Sequence, residues 1–120
     1  MAQHNHLGEW GEELAKRYLQ QQGYVIIDSD WKSGHRDIDI VAMDGDEVVL
    51  VEVKTRSNDH FSEPLDAVNY RKMMNLRRAF NHYIKYHRVN NAVRFDIIGI
   101  IGSPEEGTSR IEHYKDVPVI

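Results

Sequence analysis

The sequence predicts an α/β fold in which a mixed central sheet is flanked by helices. Two patterns carry this expectation: apolar residues recur at helical spacing in two long segments, and short β-rich runs lie between and after them. Residues 7–22 read as an amphipathic helix, because Leu7, Trp10, Leu14, Ala15, Tyr18 and Leu19 recur at spacings of three and four and Gly23 supplies a stop. Tyr24-Val25-Ile26-Ile27 reads as a strand. Residues 37–43 and 47–54 read as a hairpin around the turn signal Asp44-Gly45-Asp46. After a polar loop at 57–64, the segment 65–87 sets Val68, Met73, Leu76, Phe80, Tyr83 and Ile84 on one helical face and would form the crossover. Residues 92–101 read as a further strand, 102–109 as a loop and 111–114 as a short edge strand.

A chain of 120 residues is the size of one domain, 1–120, and would bury roughly two-thirds of its unfolded surface around a single core. With 41% hydrophobic and 28% charged residues the composition is that of a soluble globular protein, and no apolar run approaches the roughly 20 residues that span a bilayer. Met1-Ala2-Gln3-His4-Asn5-His6 lacks the pattern of a secretory signal, so a cytoplasmic location is expected. Cysteine is absent, which excludes disulfides and thiolate-held metals. Any metal must bind through oxygen or imidazole.

The formal charge of −4 conceals a strong segregation. From Ala67 to Phe95 there is no acid, while Arg71, Lys72, Arg77, Arg78, Lys85, Arg88 and Arg94 give +7; the remaining 8 bases and 19 acids give −11. A charge run is usually a solvated helix face. Seven bases without a compensating acid, with Tyr70, Tyr83 and Tyr86 among them, point instead to a surface that tracks phosphates.

Val48-Val49-Leu50-Val51 is apolar on both faces, as a central strand should be, yet it runs directly into Glu52-Val53-Lys54. Side chains alternate along a strand, so Glu52 and Lys54 share a face. A two-residue loop at Gly45-Asp46 pairs Asp39 with Glu52, and loops of two or four residues leave Asp39 on that same face; a three-residue loop without a bulge would not. Two facing carboxylates repel unless a cation lies between them, and an oxygen-only ligand set selects a hard ion, Mg²⁺ or Mn²⁺. The Val53 carbonyl offers another ligand. Lys54 would orient an attacking water and offset charge in a transition state. The bland reading of the three residues is a cross-strand ion-pair cluster.

Asp39, twelve intervening residues and then Glu52-Val53-Lys54 resembles the PD-(D/E)xK signature of restriction-endonuclease-like nucleases. Together with Gly8-x-x-Gly11-Glu12-x-x-Ala15, Val51-Glu52-Val53-Lys54-Thr55-Arg56 and Arg94-Phe95-Asp96, it is similar to the YraN-like group of uncharacterised bacterial proteins, themselves similar to archaeal Holliday-junction resolvases. The resemblance covers essentially the whole chain. It implies a restriction-endonuclease-like fold and a nuclease-type site, not a known substrate: Asp39, Glu52, Lys54 and Glu12 as catalytic residues and Asp39, Glu52, Val53 and Glu12 around the metal. With the basic helix, Arg56, Arg71, Lys72, Arg77 and Arg78 are expected along a nucleic acid, with DNA, branched or junction DNA included, as the expected partner. By fold analogy alone a homodimer is expected. The rival expectation is a non-catalytic nucleic-acid-binding module that keeps the fold.

Ile38 stands where the signature's name puts proline, and Asp37 where relatives often carry Glu, which weakens a metal role for Asp37 in favour of pairing with Lys54 or Arg36. Glu12 is equally explained by an i,i+4 surface pair with Lys16. Gly8 and Gly11 each cost about 1 kcal/mol against alanine inside a helix, so they suggest a helix start or a close approach. Asp96, between Phe95 and Ile97, is a site residue or a polar face. His4-x-His6 sits near the terminus and His82 and His87 should face differently, so histidine-bound zinc is disfavoured. Trp10 and Trp31 read as core or interface aromatics.

Overall fold

A computed structural model describes residues 6–34, 36–57 and 70–118, and within them five strands form one sheet between two helices. The elements are α1 His6–Gln21, β1 Val25–Ser33, β2 Arg36–Asp44, β3 Glu47–Arg56, α2 Tyr70–Tyr86, β4 Val93–Gly102, a 3₁₀ turn Pro104–Glu106 and β5 Ser109–Tyr114. Strand order follows the chain, β1 to β5, with every neighbouring pair antiparallel except β3 and β4, which run parallel. A parallel pair needs a crossover, and α2 lies in that connection. The predicted loop and the first turn of the predicted second helix fall on residues 58–69, outside the described residues. No helix among the described residues is long and apolar enough to cross a membrane.

β3 creates the two layers. Val49 and Val51 pack with Ala15, Leu19 and Tyr24 on the α1 side, whereas Val48 and Leu50 pack with Met73, Leu76, Phe80 and Tyr83 on the α2 side. Both faces are dry, so the strand reads as a continuous apolar run, as a strand covered on both sides must.

α1 ends as Gly23 predicts. Gly23 takes φ 94°, its N–H donates to the Gln20 carbonyl at 3.1 Å, and the Tyr24 N–H donates to the Leu19 carbonyl at 2.9 Å. This is a Schellman cap, closed by apolar contact between Leu19 and Tyr24 in the same core. α2 closes in the same way around Arg88, which takes φ 53° without being glycine. Gly11 is a close approach: a Cβ there would overlap Thr55 Oγ1 and lie 2.9 Å from Thr55 Cγ2. Gly8 meets nothing within 4 Å and lies in the first turn of α1.

The hairpin register is the predicted one. Asp44 pairs Glu47 across the two-residue loop, and the pairing runs without a slip to Ile40 and Val51. β1 is longer than expected, Val25–Ser33 rather than 24–27. Its second half, Asp28-Ser29-Asp30-Trp31-Lys32-Ser33, has no apolar alternation, so only pairing with β2 makes it a strand.

Candidate functional site

β2 changes face in its middle. Ile40 and Ala42 pack on the α1 side, yet Ile38 joins Val41 on the α2 side, although strict alternation would keep Ile38 with Ile40. On β1 the registered pairs Ser29–Ile40 and Trp31–Ile38 bracket Asp30, which takes the left-handed φ of 51°. Asp39 and Asp30 therefore face each other at an irregular point of the sheet. The β2–β3 ladder ends at Ile40–Val51, and the Val53 N–H donates to Asp39 Oδ2 at 2.8 Å.

These irregularities turn Asp39 toward α1. Carboxylate oxygens of Glu12, Asp30 and Asp39 lie within 4.8 Å of one another. Gly8, Glu9, Lys32 and Asp37 complete the walls of a cleft of ≈ 410 Å³ around them. The Gly11–Thr55 contact holds α1 tightly on β3 and so fixes Glu12, the next residue, at the end of the sheet.

Like charges in a partly dry site disfavour ionisation. Burial, then the charge of Glu52 and lesser contributions from Glu12 and Asp37, push the Asp39 carboxyl up to about 8 despite the hydrogen bond from Val53. Burial and the neighbouring Asp30 push Glu12 up to about 7. Three oxygen ligands, one on a carboxylate held mostly out of water, are the donor set a hard divalent cation takes, so these residues could hold a metal ion.

Glu52 and Lys54 share a face, as alternation predicts, and it is the α2 face. Lys54 Nζ lies 3.3 Å and Lys72 Nζ 3.5 Å from Glu52 Oε2. Glu52 is buried, and burial together with the adjacent Lys72 ammonium holds Lys54 below the ordinary lysine range. Thus the acid–acid repulsion and the acid–base pairing lie side by side, with Asp39 between Glu12 and Glu52. Asp30 is the member that sequence reasoning missed, and only its register with β2 brings it in. Asp37 pairs with Lys32 at 3.7 Å, both exposed, instead of with Lys54. Arg71, Arg77 and Arg78 are exposed along α2, Lys72 leans into the site, and Arg56 ends β3 half-buried.

Asp96 is fully buried and belongs to a different constellation. Arg94 Nε and Nη2 donate to its two carboxylate oxygens at 2.9 and 3.0 Å, His113 Nε2 lies 2.7 Å from Oδ2, and the Asp116 N–H donates at 3.1 Å. Arg94 also reaches Asp44, Glu47 and the Tyr24 hydroxyl, and His113 Nδ1 meets the Tyr18 hydroxyl at 3.0 Å. Burial alone would raise Asp96, but hydrogen bonds from His113, Arg94 and Asp116 override it and hold the carboxyl down at about 2.

A five-stranded mixed sheet between two helices, with acidic side chains gathered at the end of a hairpin, fits the restriction-endonuclease-like α/β class. Comparison of sequences places the chain within it more narrowly. The sequence model of the uncharacterised protein family UPF0102 matches residues 11–100. A UPF0102 protein of Bacteroides thetaiotaomicron is 47% identical over 97% of this chain and 94% of its own length. Relatives of the same description from Bacteroides fragilis and Porphyromonas gingivalis are 46% and 42% identical over 97% of this chain, covering 94% and 86% of theirs. The chain belongs to the UPF0102 family, the YraN-like group.

Proposed function

We propose that this protein is a divalent-metal-dependent endonuclease that hydrolyses phosphodiester bonds of DNA, branched or junction DNA included. The observation that carries the reading is the gathering of Glu12, Asp30 and Asp39 at one sheet end, with Lys54 beside them on Glu52. Asp39, Glu12 and Asp30 are the residues that would hold Mg²⁺ or Mn²⁺, with Glu52 and the Val53 carbonyl as the further donors that the motif implies. When bound, such an ion polarises a phosphoryl oxygen and offsets charge on the leaving oxygen.

The chain's own groups supply the rest. Lys54 carries an ammonium whose charge is partly desolvated, so it stabilises negative charge developing at phosphorus better than an exposed lysine would. Val53 fixes the Asp39 carboxylate through its N–H. Arg71, Arg77 and Arg78 offer exposed guanidinium groups to the sugar-phosphate backbone, and Lys72 reaches from the same helix into the site. Cutting both strands of a junction calls for two sites, which favours a symmetric dimer, measurable by analytical ultracentrifugation.

Cleavage of branched, single-stranded and duplex DNA with Mg²⁺ or Mn²⁺ tests the reading. Asp39→Ala and Lys54→Ala should each lower the rate by about 100-fold or more. Failure to cleave any of the three substrates, or an unchanged rate in Asp39→Ala, removes it. The ion pairs of Glu52 with both Lys54 and Lys72 favour a second reading, a binding module without turnover. Salt-dependent DNA affinity that ignores Glu52→Ala, in a chain that cuts nothing, would select that alternative.

A further inference from the structure

The helical spacing of His82 and His87 predicts different faces, yet both rings pack on Trp31, with centroids at 5.5 and 6.0 Å. They meet because the Trp31 indole lies across the last turn of α2, edge-on to Tyr83 at 5.2 Å between them, while the His87 N–H still makes the helical bond to the Tyr83 carbonyl at 3.0 Å. Tyr86 joins the same indole at 6.4 Å and is 70% exposed. His82 and His87 are exposed as well, so three open rings surround a Trp31 that is itself only partly buried against the α2 core.

This cluster is the end of a line. Arg71, Arg78, His82 and Tyr86 stand at i, i+7, i+11 and i+15 of α2, which is one stripe of a helix at 100° per residue, and all four are exposed. The stripe begins beside Lys72, which touches Glu52 of the candidate site, and ends about 22 Å further along the helix at 1.5 Å per residue. A row of guanidinium groups leading to open aromatic rings matches one ligand chemistry: phosphates along the cations and unpaired bases on the rings. Duplex bases are already stacked and offer no free face.

We infer that the Trp31–Tyr86 cluster is a stacking platform for unpaired bases of a single-stranded nucleic acid whose phosphates run along Arg71 and Arg78. The inference rests on the nucleic-acid reading above, but not on cleavage. It is tested in metal-free buffer on the full chain carrying Trp10→Phe, which leaves Trp31 as the one indole. A short oligothymidylate, an oligouridylate of equal length and a duplex are titrated. Trp31 emission should be quenched by the single strands, with the stronger of the two reporting DNA or RNA preference, and the duplex should bind more weakly.

Tyr86→Ala, at an exposed position, should lower single-strand affinity about tenfold or more, and Tyr86→Phe should restore it, since stacking needs the ring and not the hydroxyl. Arg78→Ala should flatten the salt dependence by roughly 0.7 in the slope of log affinity against log salt. The platform is overturned by an absence of single-strand binding at low salt, by unchanged Trp31 emission at saturation, or by wild-type affinity in Tyr86→Ala. A chain that is quenched but cuts nothing keeps the platform and loses the nuclease reading. A chain that cuts with Trp31 unquenched loses the platform alone.

Discussion

Asp39 and Asp96 are both strand aspartates with little exposure, and their carboxyls move in opposite directions, one up to about 8 and the other down to about 2. Asp96 is surrounded by donors. Arg94, His113 and the Asp116 N–H satisfy both of its oxygens, and Tyr18 braces His113 from α1. Asp39 is surrounded mainly by acceptors: one backbone N–H against Glu12, Asp30 and Glu52. A complete set of partners makes a buried charge a structural fixture, while an incomplete set leaves a demand for something from solution. Folding alone gains nothing from the Asp39 arrangement, which is why that end of the sheet, and not the better hydrogen-bonded one, is the functional candidate.

The largest effect should come from breaking the compensated region. Asp96→Ala leaves the Arg94 guanidinium buried without its main partner and should cost about 3–5 kcal/mol, read as a lowered urea midpoint. The wild type carries the matching pH signature. Because the Asp96 carboxyl is depressed in the fold, its stabilisation is present above the unfolded value near 3.8 and is lost as pH falls from there toward about 2. If Asp96→Ala unfolds at the wild-type midpoint, the network is not the fixture described.

An opposite sign is expected at the other aspartate. The raised Asp39 carboxyl favours the folded state only while protonated, so the metal-free chain loses stability as pH climbs from near 3.8 through about 8. Asp39→Asn keeps an acceptor for the Val53 N–H and removes the charge. It should match the wild type near the bottom of that window and exceed it by roughly 2–3 kcal/mol at its top. Mn²⁺ should stabilise the wild type and not the variant. Equal thermal midpoints at high pH would end the comparison.

The smallest effect sharpens the part α1 plays between the two regions. Gly11→Ala gains helix propensity but drives a methyl into Thr55, and overpacking should win by about 1–2 kcal/mol net. Glu12 should move away from Asp39 while Tyr18, lower on the helix, keeps His113. Pairing the change with Thr55→Ala should recover stability, and failure to recover it would place the cost elsewhere.

The local features were legible because their causes are local. Asp44-Gly45-Asp46 with alternating flanks fixes a two-residue hairpin, and the register that pairs Asp44 with Glu47 and Ile40 with Val51 follows by counting. Gly23 announced a helix stop that needs a left-handed residue, and Gly11 a close approach. The run Val48–Val51 announced a strand covered on both faces, and the acid-free stretch announced a basic helix. Residues whose position depends on irregular backbone, Asp30 and Asp39 among them, lie beyond such counting.

Tertiary structure decided which side of the sheet each charge faces. Counting by twos puts Asp39 with Glu52 and Lys54, but the change of face in β2 opposite Asp30 swings it toward Glu12, and nothing in the spacing encodes that break in alternation. Asp30 joined the cluster through cross-strand pairing along a polar stretch that carries no strand signal. Lys72 came to Glu52 from a helix twenty residues later in the chain, and Asp96 was told apart from a site residue only by Arg94, His113 and Asp116 closing around it. Periodicity reports which residues lie along an element, whereas the partner that satisfies or repels a buried charge arrives from another element, and only packing brings it there.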